Sequence, residues 1–365
     1  MDKQKVIIVG KLPPPYIGPA VATNIILNST LKEEFELLHL NTKVNESIDD
    51  FGKGGIWKLF KNIGIYLKLF RLLRSSKADV ILIPISQTTL GFLKDSIFIL
   101  IASLFPIKIL LQLRGSNFKN WINSANSMTE KYVRYCMNRT HGMIVLGKNL
   151  RHLFEDYYSP RQIYVIPNGC DITIPERNIE STKVQLLYFA NFLPSKGIKE
   201  IIEALVILKT KGVNTYELTA VGAWDNEVYK KECMSLVDKN QLEVHFYPPM
   251  SGDQKWQTFA NADVFLFTPN GPEGHPWVIV EALSAGLPII STNQGAIVES
   301  VIHNKNGIIL SDSSPNEIAK ELELLILNKE QRIEMGKASK VHYDRNFTEA
   351  KMVGNISKTI QQILN

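Results

Sequence analysis

The chain has 365 residues, 45% hydrophobic and 21% charged, with a formal net charge of +5. That length exceeds one ordinary core and sets an expectation of about two domains, and the composition excludes a disordered or fibrous protein. Three widely spaced cysteines, Cys136, Cys170 and Cys233, form no C-x-x-C pair, which excludes a disulfide scaffold and a cysteine zinc site.

The N-terminus, M-D-K-Q-K-V-I-I-V-G, leads straight into a strand, without the basic, apolar and small-residue regions of a signal peptide. A cytoplasmic setting is the expectation. Short apolar runs bounded by turn residues predict strands at Lys5–Val9, Glu36–Leu40, Asp79–Ile83, Lys108–Leu113, Gly142–Val145 and Gln162–Ile166. The scheme repeats at Gln185–Phe189, Glu217–Val221, Glu243–Tyr247, Val264–Phe267, Pro288–Ile290 and Ile308–Leu310. Continuous runs of this length suit strands buried on both faces of a parallel sheet. Alternating with helical segments, they imply two doubly wound, Rossmann-like α/β domains with strand C-termini facing across a cleft.

The loop after the first strand, Gly10–Thr23, carries neither G-x-G-x-x-G nor G-x-x-x-x-G-K-S/T, so a dinucleotide or P-loop fold is disfavoured. Gly55–Ser75 is helical in pattern, with Lys58, Lys61, Lys68 and Arg71 within one broad face and Trp57, Phe60, Tyr66 and Phe70 around it. Residues 96 to 113 are apolar, but Pro106 and Lys108 cut the run below the ~20 residues a membrane span needs. A buried helix, a turn and a core strand is the expected reading.

The most informative stretch is Asn270–Gly295, N-G-P-E-G-H-P-W-V-I-V-E-A-L-S-A-G-L-P-I-I-S-T-N-Q-G. It sets Glu273 in a Gly/Pro-rich loop and Glu281 inside an apolar helical run that ends at Gly286. Pro276 suits the first helical position, and the amides of Gly274, His275, Trp277 and Val278 are then placed to face an anion such as phosphate. Two carboxylates beside a phosphate site are matched not to the phosphate, which repels them, but to neutral hydroxyls. Ribose on one side and a sugar on the other fit, so the site reads as one for a sugar nucleotide. No D-x-D motif and no His/Cys/Asp cluster at metal spacing occurs, so no metal or other cofactor is expected.

This segment resembles the donor-site signature of the retaining glycosyltransferases of family 4, the glycosyl transferases group 1: two glutamates with seven residues between them, followed by Ala-Leu-x-Ala-Gly-x-Pro. V-I-P-N-G-C-D, Val165–Asp171, is similar to the family's approach to the second domain, and Leu187–Ala204 to its first strand and phosphate loop. The resemblance implies the GT-B architecture: a domain over 1–165, a nucleotide-sugar domain over 166–345, and a helix over 346–365 crossing back to the first. It implies that Glu281 holds the ribose hydroxyls, Glu273 the sugar hydroxyls, and Lys196 in the S-K-G turn the diphosphate of a UDP- or GDP-linked donor.

Three positions depart from the family. Gly18-Pro19 stands where a Gly-Gly pair is usual, so Gly18 still admits the donor phosphate but the second glycine is lost. Asn191 replaces an arginine and brings a hydrogen bond without charge. Arg114, at the end of a predicted strand, replaces a histidine beside the reacting sugar; a guanidinium suits a phosphate and is a poor general base, and a salt-bridged arginine between the domains is the rival reading.

Residues 1–170 hold 22 Lys and Arg against 12 Asp and Glu, whereas the remainder holds 19 against 24. The basic half calls for an acidic partner. No nucleic-acid module is present, which leaves an anionic membrane surface or a polyprenyl-linked glycan acceptor. The implied activity is a retaining, metal-independent transfer to a glycan or lipid-linked glycan in bacterial surface polysaccharide synthesis. A sugar-nucleotide hydrolase or epimerase and a catalytically silent GT-B subunit are the alternatives.

Overall fold

The computed structural model describes residues 3–14, 17–43 and 56–365, with side chains in the helix Ile56–Ser76 from residue 62 onward. It divides into two compact units, Met1–Cys170 with Glu349–Asn365, and Asp171–Thr348.

The first unit is built on β1 (Lys5–Gly10), β2 (Glu36–Asn41), β3 (Val80–Pro84), β4 (Lys108–Gln112), β5 (Gly142–Val145) and β6 (Ile163–Val165), in the order β2-β1-β3-β4-β5-β6. Every pairing is parallel. Val6, Ile7, Ile8 and Val9 are at most 1% exposed, which explains why the sequence shows no alternation. Burial of each such side chain contributes about 1.5–3 kcal/mol. The order reverses between β1 and β3, so the crevice at their C-terminal ends is the switch point where ligands bind in sheets of this kind.

The second unit repeats the design with β7 (Val184–Phe189), β8 (Tyr216–Val221), β9 (Val244–Tyr247), β10 (Val264–Phe267), β11 (Ile289–Thr292) and β12 (Gly307–Leu310). Its order, β12-β11-β10-β7-β8-β9, is again all parallel, and read from the far edge it is the 3-2-1-4-5-6 order of a dinucleotide-type sheet. Its switch point lies between β7 and β10. All the expected strands are present.

The run 96–113 resolves as expected into the end of the helix Thr89–Ala102, a turn, and β4. The last helix, Glu349–Leu364, follows the second unit in sequence yet forms part of the first. It buries Met352, Val353, Ile356, Ile360 and Ile363 along one stripe, and Ser357 Oγ donates to Glu34 Oε2 at 2.6 Å. The basic helix spans Ile56–Ser76. The side chains of Trp57, Lys58, Phe60 and Lys61 lie outside the described residues, whereas Lys68, Arg71 and Arg74 are exposed. The exposed strip Ile63, Leu67 and Phe70, at helical spacing, is more apolar than the sequence pattern implies.

Candidate functional site

The switch point of the second unit brings together two loops that are far apart in sequence. After β7 the chain forms a short turn, Pro194–Lys196, closed by Gly197 at φ 84°. A Cβ at Gly197 would lie 2.2 Å from the Thr268 carbonyl oxygen, so only glycine lets this turn press against the loop after β10. The Asn270 amide then donates to the Ser195 carbonyl at 3.2 Å. The Tyr188 hydroxyl, fully buried beneath, donates toward the carbonyls of Asn191 and Lys196 at 3.3 and 3.5 Å and ties the turn to the sheet.

This close approach sets Lys196 Nζ against Glu273 Oε1 in a hydrogen-bonded ion pair, with the ammonium 5.6 Å over the Phe267 ring. Burial raises the Glu273 carboxyl above the ordinary carboxylate range, and Lys196 opposes that shift without cancelling it. The backbone of Glu273 and Gly274 is held from behind. Gly295 has φ 53°, a Cβ there would strike the Glu273 carbonyl at 1.9 Å, and the Ala296 amide donates to the Gly274 carbonyl at 2.7 Å.

His275 anchors the same loop. Its ring is buried, with Nε2 2.7 Å from Ser300 Oγ and its centroid 5.3 Å from that of Phe347. Burial pushes its pKa down to about 3, so the imidazole is neutral at ordinary pH and acts as a packing element. The folded state thus takes up its proton far below the ~6.5 of an unfolded histidine, and stability is lost as pH falls from about 6.5 toward 3. The slope should reach about 1.4 kcal/mol per pH unit in that window, and His275→Gln should flatten it. Thermal melts of both proteins from pH 7 to 4 check this; identical slopes would exclude the buried neutral ring.

Glu281 lies in the helix Trp277–Ser284, which begins one residue later than the sequence indicates. Pro276 has the helical φ of −64° but an extended ψ of 131°, so it flanks the first turn instead of opening it. Trp277 and Val278 begin the helix half-buried. Glu281 is 7% exposed; its Oε1 accepts from Lys255 Nζ at 2.5 Å, while its buried Oε2 has no hydrogen-bond partner among the described residues. Lys255 was not singled out by the sequence. One signal was present: it ends the first turn of the helix Gly252–Asn261, where the helix dipole disfavours a cation.

Asn191 is exposed just beyond β7. Its Oδ1 accepts from the Ala223 amide at 3.3 Å, so the side chain holds the neighbouring loop. Arg114 and Gly18 belong to the first unit. Half-buried Arg114, just beyond β4, donates to Asn168 Oδ1 at 2.8 Å and Gln112 Oε1 at 3.1 Å. Its described partners are amides rather than a carboxylate, unlike the salt-bridged arginine of the rival reading. Burial lowers its pKa to about 10, which leaves the guanidinium charged. Gly18 opens the helix Gly18–Asn28 with Pro19 in its first turn, and residues 15–16 of that loop lie outside the described residues.

The family model for glycosyl transferases group 1 matches residues 171–342. Over 311 residues the chain is 24% identical to an uncharacterized glycosyltransferase of Methanocaldococcus jannaschii, covering 84% of this chain and 83% of that protein. Over 246 residues it is 22% identical to the N,N'-diacetylbacillosaminyl-diphospho-undecaprenol alpha-1,3-N-acetylgalactosaminyltransferase of Campylobacter jejuni, covering 67% and 61%. The crystal structure of Anabaena HepE in complex with UDP and glucose matches with a TM-score of 0.73 at 16% identity, over 98% of this chain and 100% of that one. The second unit therefore carries a glycosyl transferases group 1 domain, and the two units have the GT-B fold. Both of these relatives are named as glycosyltransferases.

Proposed function

We propose that the protein is a retaining, metal-independent glycosyltransferase that moves a sugar from a UDP- or GDP-linked donor to a glycan or polyprenyl-linked glycan in bacterial surface polysaccharide synthesis. The observation that carries the reading is the pair of lysine–glutamate contacts at the second unit's switch point, Lys196 with Glu273 and Lys255 with Glu281. In this reading Glu281 accepts from the ribose hydroxyls and Glu273 from the sugar hydroxyls. Lys196, with the amides of Gly274, His275, Trp277 and Val278, meets the diphosphate and opposes the charge that grows on it as the bond to the sugar breaks. The acceptor oxygen bonds to the anomeric carbon on the face the diphosphate leaves, and its proton passes to the departing phosphate. Arg114 meets a phosphate of donor or acceptor. The activity named for the Campylobacter relative supports a lipid-linked acceptor.

The same reading places the protein on the inner face of the cell membrane. Supporting it, Ile63, Leu67 and Phe70 are exposed at helical spacing on the helix that also exposes Lys68, Arg71 and Arg74, and Leu90 and Leu93 are exposed on the helix Thr89–Ala102. Each cation near anionic lipid contributes about 1 kcal/mol. Among the described residues no helix is long and apolar enough to cross a membrane.

One experiment tests activity and setting together: release of nucleoside diphosphate from UDP- and GDP-sugars, with excess chelator, with and without a polyprenyl-diphosphate glycan in anionic or neutral vesicles. Release that needs the acceptor and is faster on anionic vesicles at low salt is expected. Release without acceptor favours the hydrolase; no release favours the epimerase where the donor is converted to an epimeric sugar nucleotide, and the silent subunit where no donor is altered.

A further inference from the structure

We propose that Lys255 is a positioning residue that gives the donor site its selectivity for ribose over deoxyribose, acting through Glu281. The inference rests on the ribose reading of Glu281 given above. Lys255 Nζ lies 5.1 Å from the centroid of the Phe189 ring and 4.8 Å from that of Trp256, and donates to Glu281 Oε1 at 2.5 Å. Its side chain is 18% exposed and that of Glu281 is 9% exposed. An ammonium lodged against two aromatic faces gains cation–π attraction in place of much of its hydration. Its cationic charge at the end of a helix's first turn is not explained by helix stability, since the dipole opposes it.

The pairing divides the two carboxylate oxygens. Oε1 is pinned by the lysine, which stops the carboxylate from turning. Oε2, buried and without a hydrogen-bond partner among the described residues, is left as an acceptor in one fixed direction. A buried acceptor without a donor is costly, and a ligand hydroxyl offsets that cost where a ligand hydrogen does not. Lys255 thus makes no contact with the nucleotide in this proposal; it makes Glu281 demand a hydroxyl. A lysine touching the diphosphate directly would instead favour ribo- and deoxyribonucleotides alike.

The test is calorimetry on the full chain with UDP, GDP and their 2′-deoxy counterparts, for the unaltered protein, Lys255→Met, Glu281→Gln and the double variant. Methionine keeps an apolar stem between the rings and removes the donor. The unaltered protein should prefer the ribonucleotide by about tenfold or more. Lys255→Met should bring the ratio to within about twofold without weakening the 2′-deoxy ligand, and should add nothing in the Glu281→Gln background. Equal weakening of both ligands by Lys255→Met, or an unchanged ratio, overturns the positioning role. A ratio that survives Glu281→Gln overturns the ribose reading beneath it, whereas a ratio lost there and kept in Lys255→Met sinks only the role of the lysine. Should Lys255→Met fail to fold, Lys255→Gln, whose amide stops short of Glu281, is read by the same ratios.

Discussion

Replacing Lys196 by methionine should lower kcat by about two to three orders of magnitude and raise the KM for the sugar nucleotide far less. The donor diphosphate is already anionic when bound, but its charge on the leaving oxygen grows only as the bond to the sugar breaks. A cation aimed at that oxygen is therefore worth most in the transition state. Methionine keeps the stem that reaches over Phe267 and removes only the charge. The variant also leaves the Glu273 carboxylate buried without its cation, so its carboxyl should protonate more readily and the loss of stability should be modest. Steady-state kinetics separate the cases: a rise in KM at constant kcat would show uniform binding and remove the leaving-group role.

Glu273→Gln should act in opposite directions on two ligands. Turnover of the sugar nucleotide should fall by about 10- to 100-fold, because charged hydrogen bonds to the sugar contribute roughly 1.5–3 kcal/mol each. The affinity for the free nucleoside diphosphate, which has no sugar to lose, should instead rise about two- to fivefold. Lys196 is committed to Glu273, and releasing it frees a cation for the phosphates; an ion pair at a partly exposed position is worth about 0.5–1 kcal/mol. Kinetics and calorimetry on one preparation read both numbers. Weaker binding of the free nucleoside diphosphate would mean that Glu273 supports the phosphate site rather than competing for its lysine.

The fold was legible because strands buried on both faces announce themselves as unbroken apolar runs. Val6–Val9 and Phe265–Phe267 need no alternation to be recognised. Glu273, Glu281 and Lys196 stand out in the sequence because their spacing and loop chemistry lie within short segments, and the structure brings Lys196 against Glu273. What escaped was pairing across the fold. Lys255 and Glu281 are 26 residues apart and meet because consecutive helices flank β10. The partners of Arg114 are amides at positions 112 and 168, which no local pattern connects. The bond from the Ala223 amide to exposed Asn191 Oδ1 spans 32 residues and has no local signature either. The helix start moved by one residue because proline fixes φ and leaves ψ free, and ψ at Pro276 is extended.

The two lysine–glutamate pairs have a kinetic meaning of their own. Two cations and two anions set pairwise in contact cancel at a distance, so beyond about a Debye length, ~8 Å at physiological ionic strength, these four side chains present a dianion with little net field of their own. Long-range steering accelerates encounter only where charge of one sign prevails, and these paired side chains add little to it. On the proposed reading, these four groups act on a nucleotide only after contact, in the exchange of one partner for another at Lys196.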